Sequence, residues 1–491
     1  EASADESGHS VSLSSDGNIF ASSGTGNTTT ARIFTKITDS ITGFLTWSQI
    51  GQEINLARSV SLSSDGNTVA NAMLDGSVHI YENISGSWVQ SGTPTSGCTH
   101  TLNMYDSYGD GWTGNAVDVT VNGSVVISGA TIISGSFNSE NFYAINGDSI
   151  ELTNWVTGSW PSDVSWNITD GLGNIIASGL HSDSTNGATG YCGGQVLNIG
   201  NAASTDGVSL SGDGNTVAIG ATASNNNTGH VRIYENISGV WTQVGQDIDG
   251  EASNDYSGQS VSINFDGSIV AIGATGNDGN GSNSGHVRIY ENIGGSWSQI
   301  GQDIDGEHPG DASGGSISIS TDGSIIAIGT RENNDAFYKA GHVRVFENIF
   351  GTWTQIGQDI DGEGTIYYSG ESISLSGDGN KIVIGAIGPR NNTYEGEGCI
   401  YQNIDGNWIK LGQNIYGENP GDNSGDAIAI SLDWNTVAIG APQNDGYYSN
   451  SGHVRVYNVL DSSLCAGCTD PLAINYISTM QYDDGSCIYP S

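Results

Sequence analysis

The nonapeptide GHVRIYENI stands at residues 229–237 and again at 285–293, and GHVRVFENI follows at 341–349. Around it a longer unit recurs: SVSINFDGSIVAIGA, a variable Gly/Asn loop, the nonapeptide, a Gly turn, then SWSQIGQDIDGE. Its Asp-Gly turn returns at Asp213, Asp266, Asp322 and Asp378, with Asp433-Trp434 in the same place, at intervals of 53, 56, 56 and 55 residues. Shorter copies turn at Asp16 and Asp65, which brings the copies to seven. Each copy holds four β-patterned runs between Asp-Gly, Gly/Asn/Ser and Gly-Gly breakers. In one copy they are Ser260 to Asn264, Ile269 to Ala274, His286 to Asn292 and Trp297 to Ile304. Four antiparallel strands per repeat, at a period slightly above the usual blade length, predict an all-β fold, a seven-bladed β-propeller. A linear solenoid fits less well, because its repeats are shorter and seldom contain a whole four-stranded meander.

Composition points the same way. The 491 residues include 73 glycines and only 13% charged residues, which suits tight turns and short strands better than helices. Twelve Lys and Arg against 53 Asp and Glu leave a net charge of −41. That balance repels nucleic acid and anionic membranes and makes cations the natural counterparts. No apolar run reaches the roughly 18 residues of a membrane span, and with no leader before Glu1 the sequence reads as a mature or trimmed soluble chain. Six cysteines, at 98, 192, 399, 465, 468 and 487, fit disulfides in an oxidising compartment better than a zinc site, so the expected location is extracellular, secreted or cell-surface. Sequons at Asn27, Asn83, Asn122, Asn167, Asn226, Asn236, Asn280 and Asn391 offer glycan acceptors.

The repeat SGQSVSINFDGSIVAIGATG…GHVRIY resembles the FG-GAP-like blades of integrin α-subunit propellers, and also secreted propeller repeats of marine bacteria and some microbial eukaryotes. The resemblance covers about 390 residues. It implies a propeller and, in integrins, calcium in a loop of the form Asp-x-Asn-x-Asp-Gly-x-x-Asp; here only Asp266 and Gly267 of that loop are kept.

Within the nonapeptide, His230, Arg232 and Tyr234 share one strand face by the period of two, and Val231 and Ile233 share the other. In a propeller both faces are covered by neighbours, and an unpaired buried guanidinium costs several kcal/mol. Arg232, Arg288, Arg344 and Arg455 are therefore expected to pair with acidic or carbonyl groups of the same or the adjacent blade. His230, His286, His342 and His453 are expected to hydrogen-bond near the strand start; they lie too far apart around a ring to share one ion. Cys399 replaces the arginine in the sixth copy and suggests a disulfide to Cys465.

After the fourth strand the chain repeats QDIDGEASNDYSG and QDIDGEHPGDASG. Asp247, Asp249, Glu251 and Asp255, and likewise Asp303, Asp305, Glu307 and Asp311, follow an oxygen-rich spacing that calcium loops use. A solvated acidic loop and a divalent-cation site both remain open readings.

The second copy breaks off near Gly92 and resumes at Gln195, with Cys98 and Cys192 flanking the gap, so a disulfide would close an inserted module at its neck. The domains are accordingly 1–96 (first blades), 97–193 (a small β-sandwich insert), 194–463 (remaining blades) and 464–491 (a Cys-bracketed tail). The insert resembles a module of secreted microbial proteins marked by DSYGDGW, here Asp106 to Trp112; the likeness implies calcium at Asp106 and Asp110, and an aromatic platform from Trp112, Trp155, Trp160 and Trp166. GCTDPLAINYISTMQYDDGSC resembles a C-terminal motif of secreted adhesive proteins, with Cys468 bridged to Cys487 around Asp483 and Asp484 as calcium candidates.

No GxSxG elbow, HExxH, Walker loop or dinucleotide fingerprint is present, so no enzyme is expected. The seventh copy has no W-x-Q-I-G strand after GHVRVYNVL; the missing strand would come from the tail, from residues upstream or from another copy of the chain, and the last of these would link copies by strand addition. The expectation is an extracellular structural or adhesive protein that assembles into a filament or coat with copies of itself. The alternative is a calcium-dependent carbohydrate-binding adhesin that engages cell-surface glycans or proteins through the insert.

Overall fold

The computed structural model describes residues 5–25, 30–38, 45–55, 57–73, 76–92, 97–145, 148–171, 175–181, 187–189, 194–198, 207–388, 394–446 and 448–459. Among them the chain is all-β and propeller-like, and its one helix is a single 3₁₀ turn at Pro161–Asp163. It divides into two compact units, one of Glu1–Val89, Leu197–Ile237 and Trp241–Ser491, the other of Gln90–Val196 with Ser238–Val240.

Seven antiparallel sheets make up the first unit among the described residues. The fourth sheet is typical: Ser260–Ile263, Ile269–Ala274, His286–Ile293 and Ser296–Gln299 lie side by side, and Ile304–Asp305 returns to pair with the third strand. The single fourth run expected from sequence is thus two short strands, because Gly301 sits at φ +75° and turns the chain between them. The outer edge of the second sheet is assembled from Ser87–Gln90 and Val196–Asn198, one before and one after the long intervening segment. Among the described residues the seventh sheet has three strands, Ala427–Ile430, Thr436–Ala441 and His453–Asn458.

The second strand of each sheet is buried from its second residue onward, and Thr216–Ala221, Lys381–Ala386 and Thr436–Ala441 are buried along their whole length. This second strand reads as a continuous apolar run because both of its faces are covered by neighbouring sheets. Buried apolar clusters fill the successive junctions: Val231 and Ile233 pack with Val270 and Ile272, and Val287 and Ile289 pack with Ile326 and Ile328. Glycine closes the approach. A Cβ on Gly220 would lie 1.9 Å from the carbonyl oxygen of Gly258 in the next sheet, and one on Gly440 would lie 2.0 Å from that of Gly8.

The last contact joins the seventh sheet to the first, and other contacts repeat it. The first strands neighbour one another in order from the first sheet to the seventh and back. At the Asp-Gly turns one backbone hydrogen bond crosses each junction: Ser15 N to Ser64 O, Ser64 N to Gly212 O, Asp213 N to Phe265 O, Phe265 N to Thr321 O, Thr321 N to Gly377 O, Gly377 N to Leu432 O, and Asp433 N to Ser15 O, at 2.8–3.3 Å. The cycle returns to its first residue. Each turn is held by its aspartate; Asp16, for example, accepts from Ser14 Oγ at 2.7 Å and from the Asn18 backbone N–H at 3.0 Å.

The second unit has two four-stranded antiparallel sheets. One orders Phe137–Ala144, Cys98–Asp106, Val164–Thr169 and Ile175–Leu180; the other orders Ser124–Ala130, Ala116–Val121, Ser149–Val156 and Gly187–Thr189. Leu102, Met104, Trp112, Val119, Ile150 and Trp166 share one core between them. Its neck is closed by Gln195 N donating to Ser91 O at 3.0 Å.

Candidate functional site

The third strands bring the repeated His and Arg to the sheet junctions. Arg288 Nη2 donates to Asp249 O at 2.7 Å while Nη1 lies 3.6 Å from Glu251 Oε1; Arg344 repeats this with Asp305 O at 2.7 Å and Glu307 Oε1 at 3.5 Å. Arg455 donates to Tyr416 O and faces Glu418 at 3.9 Å. Arg232 turns instead to its own sheet and grips Asp247 with Nε and Nη2, both at 2.9 Å. The hydrogen bonds from Arg232 hold the Asp247 carboxyl below its ordinary value. Each guanidinium thus meets a carboxylate, across a junction for Arg288, Arg344 and Arg455 and within the sheet for Arg232, as charge-assisted bonds favour.

The histidines differ from one another. His230 Nδ1 lies 2.7 Å from Ser224 Oγ. His286 and His342 have almost no exposure, 1% and 0%. His286 Nδ1 stands 4.0 Å from Glu251 Oε2 and 3.9 Å from Asp303 Oδ2, with Asp305 Oδ1 at 4.0 Å. His342 Nδ1 stands 3.9 Å from Glu307 Oε2 and 4.0 Å from Asp359 Oδ2. Burial, reinforced by the Arg344 charge, pushes His342 down to about 4, so its imidazole is neutral at ordinary pH.

The four carboxylates of one acidic connector thus serve different partners. Asp247 faces Arg232, Asp249 contributes its carbonyl to Arg288, and Glu251 reaches Arg288 and His286. Asp255 is buried and accepts the backbone N–H of Ala252 at 2.9 Å and the Asn277 amide at 3.2 Å. In the next connector Asp303 faces His286, and Asp311 is a buried staple that accepts the His308 backbone N–H at 2.9 Å. Asp359, which lies beside His342, was not singled out from the sequence; its signal was its place in QDIDGEGTIYYSG (358–370), where it matches Asp247 and Asp303. The sixth sheet has Glu397 and Cys399 where the third, fourth, fifth and seventh have His and Arg. Cys399 is a free thiol, so the expected bridge to Cys465 is not formed. Its side chain is 6% exposed with Sγ 3.8 Å from Glu397 Oε1, and burial pushes the thiol up to about 12.

In the insert, Asp106 is buried and accepts the backbone N–H groups of Tyr108, Gly109 and Gly111 at 3.3, 2.8 and 2.9 Å, so its carboxylate shapes the DSYGDGW loop, and Asp110 is exposed. Trp112 does not join an aromatic platform: it is 1% exposed, with Nε1 donating to Tyr105 O at 3.0 Å, because the loop folds its indole back into the core. Trp166 is core as well. Trp155 packs part-buried against Trp112 and His181, and Trp160 alone stands out, 70% exposed.

A different surface was missed from the sequence. Across the outward face of the Cys98–Asp106 sheet, Asn103 bonds Asn167 at 2.9 Å, Thr101 bonds Asn141 at 2.9 Å, and Asn167 bonds the Tyr105 hydroxyl at 3.2 Å. Tyr105 stacks obliquely on Phe137 at one end, and exposed Tyr143 lies toward the other. The alternation of Asn103, Tyr105, Asn141 and Tyr143 with buried residues was the available signal.

Cys98 is disulfide-bonded; its expected partner Cys192 lies outside the described residues, as do Cys465, Cys468, Cys487, Asp483, Asp484, Asn27 and Asn391. Of the remaining sequons, Asn226 is exposed in a turn, Asn83 caps the Gly86 N–H, and the amides of Asn122, Asn167 and Asn280 already donate to Asp148, Tyr105 and Glu307; Asn236 is half-buried in its strand.

Residues of all seven sheets line a cavity of about 840 Å³. Two pairs of its polar lining meet one another: Arg331 Nη1 grips Glu371 at 2.8 and 3.0 Å, and His9 lies 3.4 Å from Asp426.

An FG-GAP repeat is recognised at residues 247–290, the stretch from Asp247 to Tyr290 that holds Glu251, the Asp266 turn, His286 and Arg288. No curated protein matches the chain. Among solved structures it is similar to a Bacteroides uniformis protein described as a 6-phosphogluconolactonase, at 12% identity and a TM-score of 0.44, over 84% of this chain and 87% of that one.

Proposed function

We propose that the chain is an extracellular, non-catalytic structural or adhesive protein, a closed seven-bladed propeller that carries a β-sandwich insert as its contact module. The closed cycle of turn hydrogen bonds supports the blade count. The observation that carries the adhesive reading is the surface of the insert. Tyr108, Ile133, Phe137, Tyr143, Trp160 and Leu180 are each more than half exposed, and the segment between Tyr105 and Leu180 supplies 12 of the 25 exposed large apolar side chains of the described residues. Such a concentration on a small module is typical of a surface that is covered in use. Assembly is proposed at the seventh sheet, where a fourth strand would come from the residues after Val459 or from a second copy of the chain.

The Asn/Thr ladder flanked by Tyr105, Phe137 and Tyr143 favours a second reading, a carbohydrate-binding adhesin, since amides and aromatic rings are the groups that hold sugars. Negative-stain electron microscopy of native secreted material, with and without chelator, separates the two. Filaments or sheets with a repeat near one propeller diameter support assembly. Dispersed single particles in both conditions rule assembly out, and binding on a glycan array that Asn103→Ala with Tyr105→Ala removes then supports the second reading.

A further inference from the structure

The fourth and fifth sheets repeat one constellation, Glu251, His286 and Asp303 and then Glu307, His342 and Asp359, with the ligand atoms of each set within 4.8 Å of one another. Each Glu precedes its His by 35 residues and each Asp follows by 17, so the repeat itself builds the site twice. The imidazoles are the unusual part. Both ring nitrogens of His342, and Nε2 of His286, have no hydrogen-bond partner although the side chains are buried. A buried polar atom left so has lost its hydration with no hydrogen bond in return.

The carboxylate oxygens at 3.9–4.0 Å from Nδ1 are too far to accept a hydrogen bond. Ligands of a tetrahedral zinc-class ion lie about 3.3–3.4 Å apart, so an inward shift of about half an ångström by the part-exposed carboxylates would close each set on one ion. The neighbouring arginines do not fill the gap. Arg288 and Arg344 approach Oε1 of their glutamates and leave Oε2 turned to the histidine. Around His286, three carboxylates (Glu251, Asp303, Asp305) face one guanidinium, which leaves two negative charges for a divalent ion to neutralise. In the sixth sheet the histidine is replaced by Glu397 and the aspartate by Asn414. There an ammonium takes over: Lys410 Nζ pairs with Glu363, and Asn414 bridges Glu363 and Glu397.

We propose that each of the two His/Glu/Asp sets binds one divalent transition-metal cation of the zinc class through Nδ1 and two carboxylates, clipping an acidic connector to the sheet that follows it. A nitrogen donor selects zinc-like ions over calcium, which takes oxygen ligands. The proposal is independent of the adhesive reading.

The test is isothermal titration of the chelator-treated full chain with zinc and, separately, calcium at neutral pH. The expected result is two zinc ions per chain in addition to any bound elsewhere, with one lost in His286→Gln, one in His342→Gln and both in the double variant. No zinc uptake by the parent chain, or retention of both ions by the double variant, overturns the proposal. So does calcium binding that the double variant abolishes while zinc is ignored. Should the histidine variants lose their native circular dichroism, Asp303→Asn with Asp359→Asn gives the second readout, since those side chains are about one-third exposed, at 34% and 30%. At least tenfold weaker zinc binding is expected there, and unchanged affinity overturns the proposal.

Discussion

The junction between the fourth and fifth sheets and the seam between the seventh and first share an inner half and differ in the outer one. Both have the turn hydrogen bond, Phe265 N to Thr321 O in one and Asp433 N to Ser15 O in the other, and both press a glycine against a backbone carbonyl. At the outer edge of the fourth–fifth junction, Trp353 is 3% exposed, its Nε1 donates to Ile300 O at 3.0 Å, and Gln302 binds its backbone on both sides. Trp47, in the same place on the first sheet, is only half-buried and leans on Phe20 of its own sheet. A second contrast lies at the seventh sheet itself: Arg344 is 7% exposed, whereas Arg455, whose partner Glu418 follows the sixth sheet, is 25% exposed on a sheet of three described strands. The inner layers of the two junctions are thus alike, whereas the tryptophan clasp depends on a fourth strand from the preceding sheet.

The largest effect that can break this contrast is removal of the clasp. Trp353→Ala is expected to cost about 3–5 kcal/mol through the cavity it leaves, and Trp47→Ala less than half of that, both read by urea unfolding. Equal losses would mean that the outer seam is clasped by residues outside those described. Next, Arg344→Met should cost about 2–3 kcal/mol by stranding Glu307 and the Asp305 carbonyl, and Arg455→Met about 1 kcal/mol or less, because its pair is more exposed. A gap that vanishes in this pair of measurements would count against the exposure argument.

Acid should act on both regions alike. Burial pushes the turn aspartates Asp16, Asp65, Asp322 and Asp378 up, but hydrogen bonds from the turn Ser, Asn and backbone outweigh it and leave each carboxyl lowered. At Asp266 the Ser268 bond leads the same downward shift. A carboxyl lowered on folding adds stability above its unfolded value, near 3.9, and that stability is lost as pH falls through the folded value. The thermal midpoint should therefore hold from pH 7 to about 4 and drop below it; a midpoint that rises on acidification to pH 3 would reverse the sign. The smallest effect is at Cys399, whose buried, raised thiol should resist alkylation at pH 8 until denaturant is added, whereas labelling of native protein would show the sixth junction opening.

The all-β, propeller-like architecture was legible because one turn recurs seven times, and period and turn chemistry are local properties. Partner choice was not. Alternation shows that His286 and Arg288 share a face, but not that Glu251 from the preceding connector covers it, since that depends on which strand of the ring comes next. The acidic connector, whose spacing allowed either a solvated loop or a cation loop, is divided because Asp247 points to its own sheet and Glu251 to the next. Trp112 was misplaced for a similar reason: the DSYGDGW loop doubles back on Asp106, a three-dimensional turn that linear spacing does not show.

The return of the cycle to Ser15 also governs how the chain can be made. Ser7 pairs with Gly452, so a segment from near the beginning must wait for one synthesised near the end. The entropy of so long a closure is modest, growing by only about 0.6 kcal/mol for each doubling of the loop. The cost is time. Until the seventh sheet emerges, the earlier sheets form an open arc whose first sheet lacks a neighbour, the kind of exposed edge on which slow-folding β proteins aggregate. A nascent chain of this design gains its full protection in a single late step, when the arc becomes a ring.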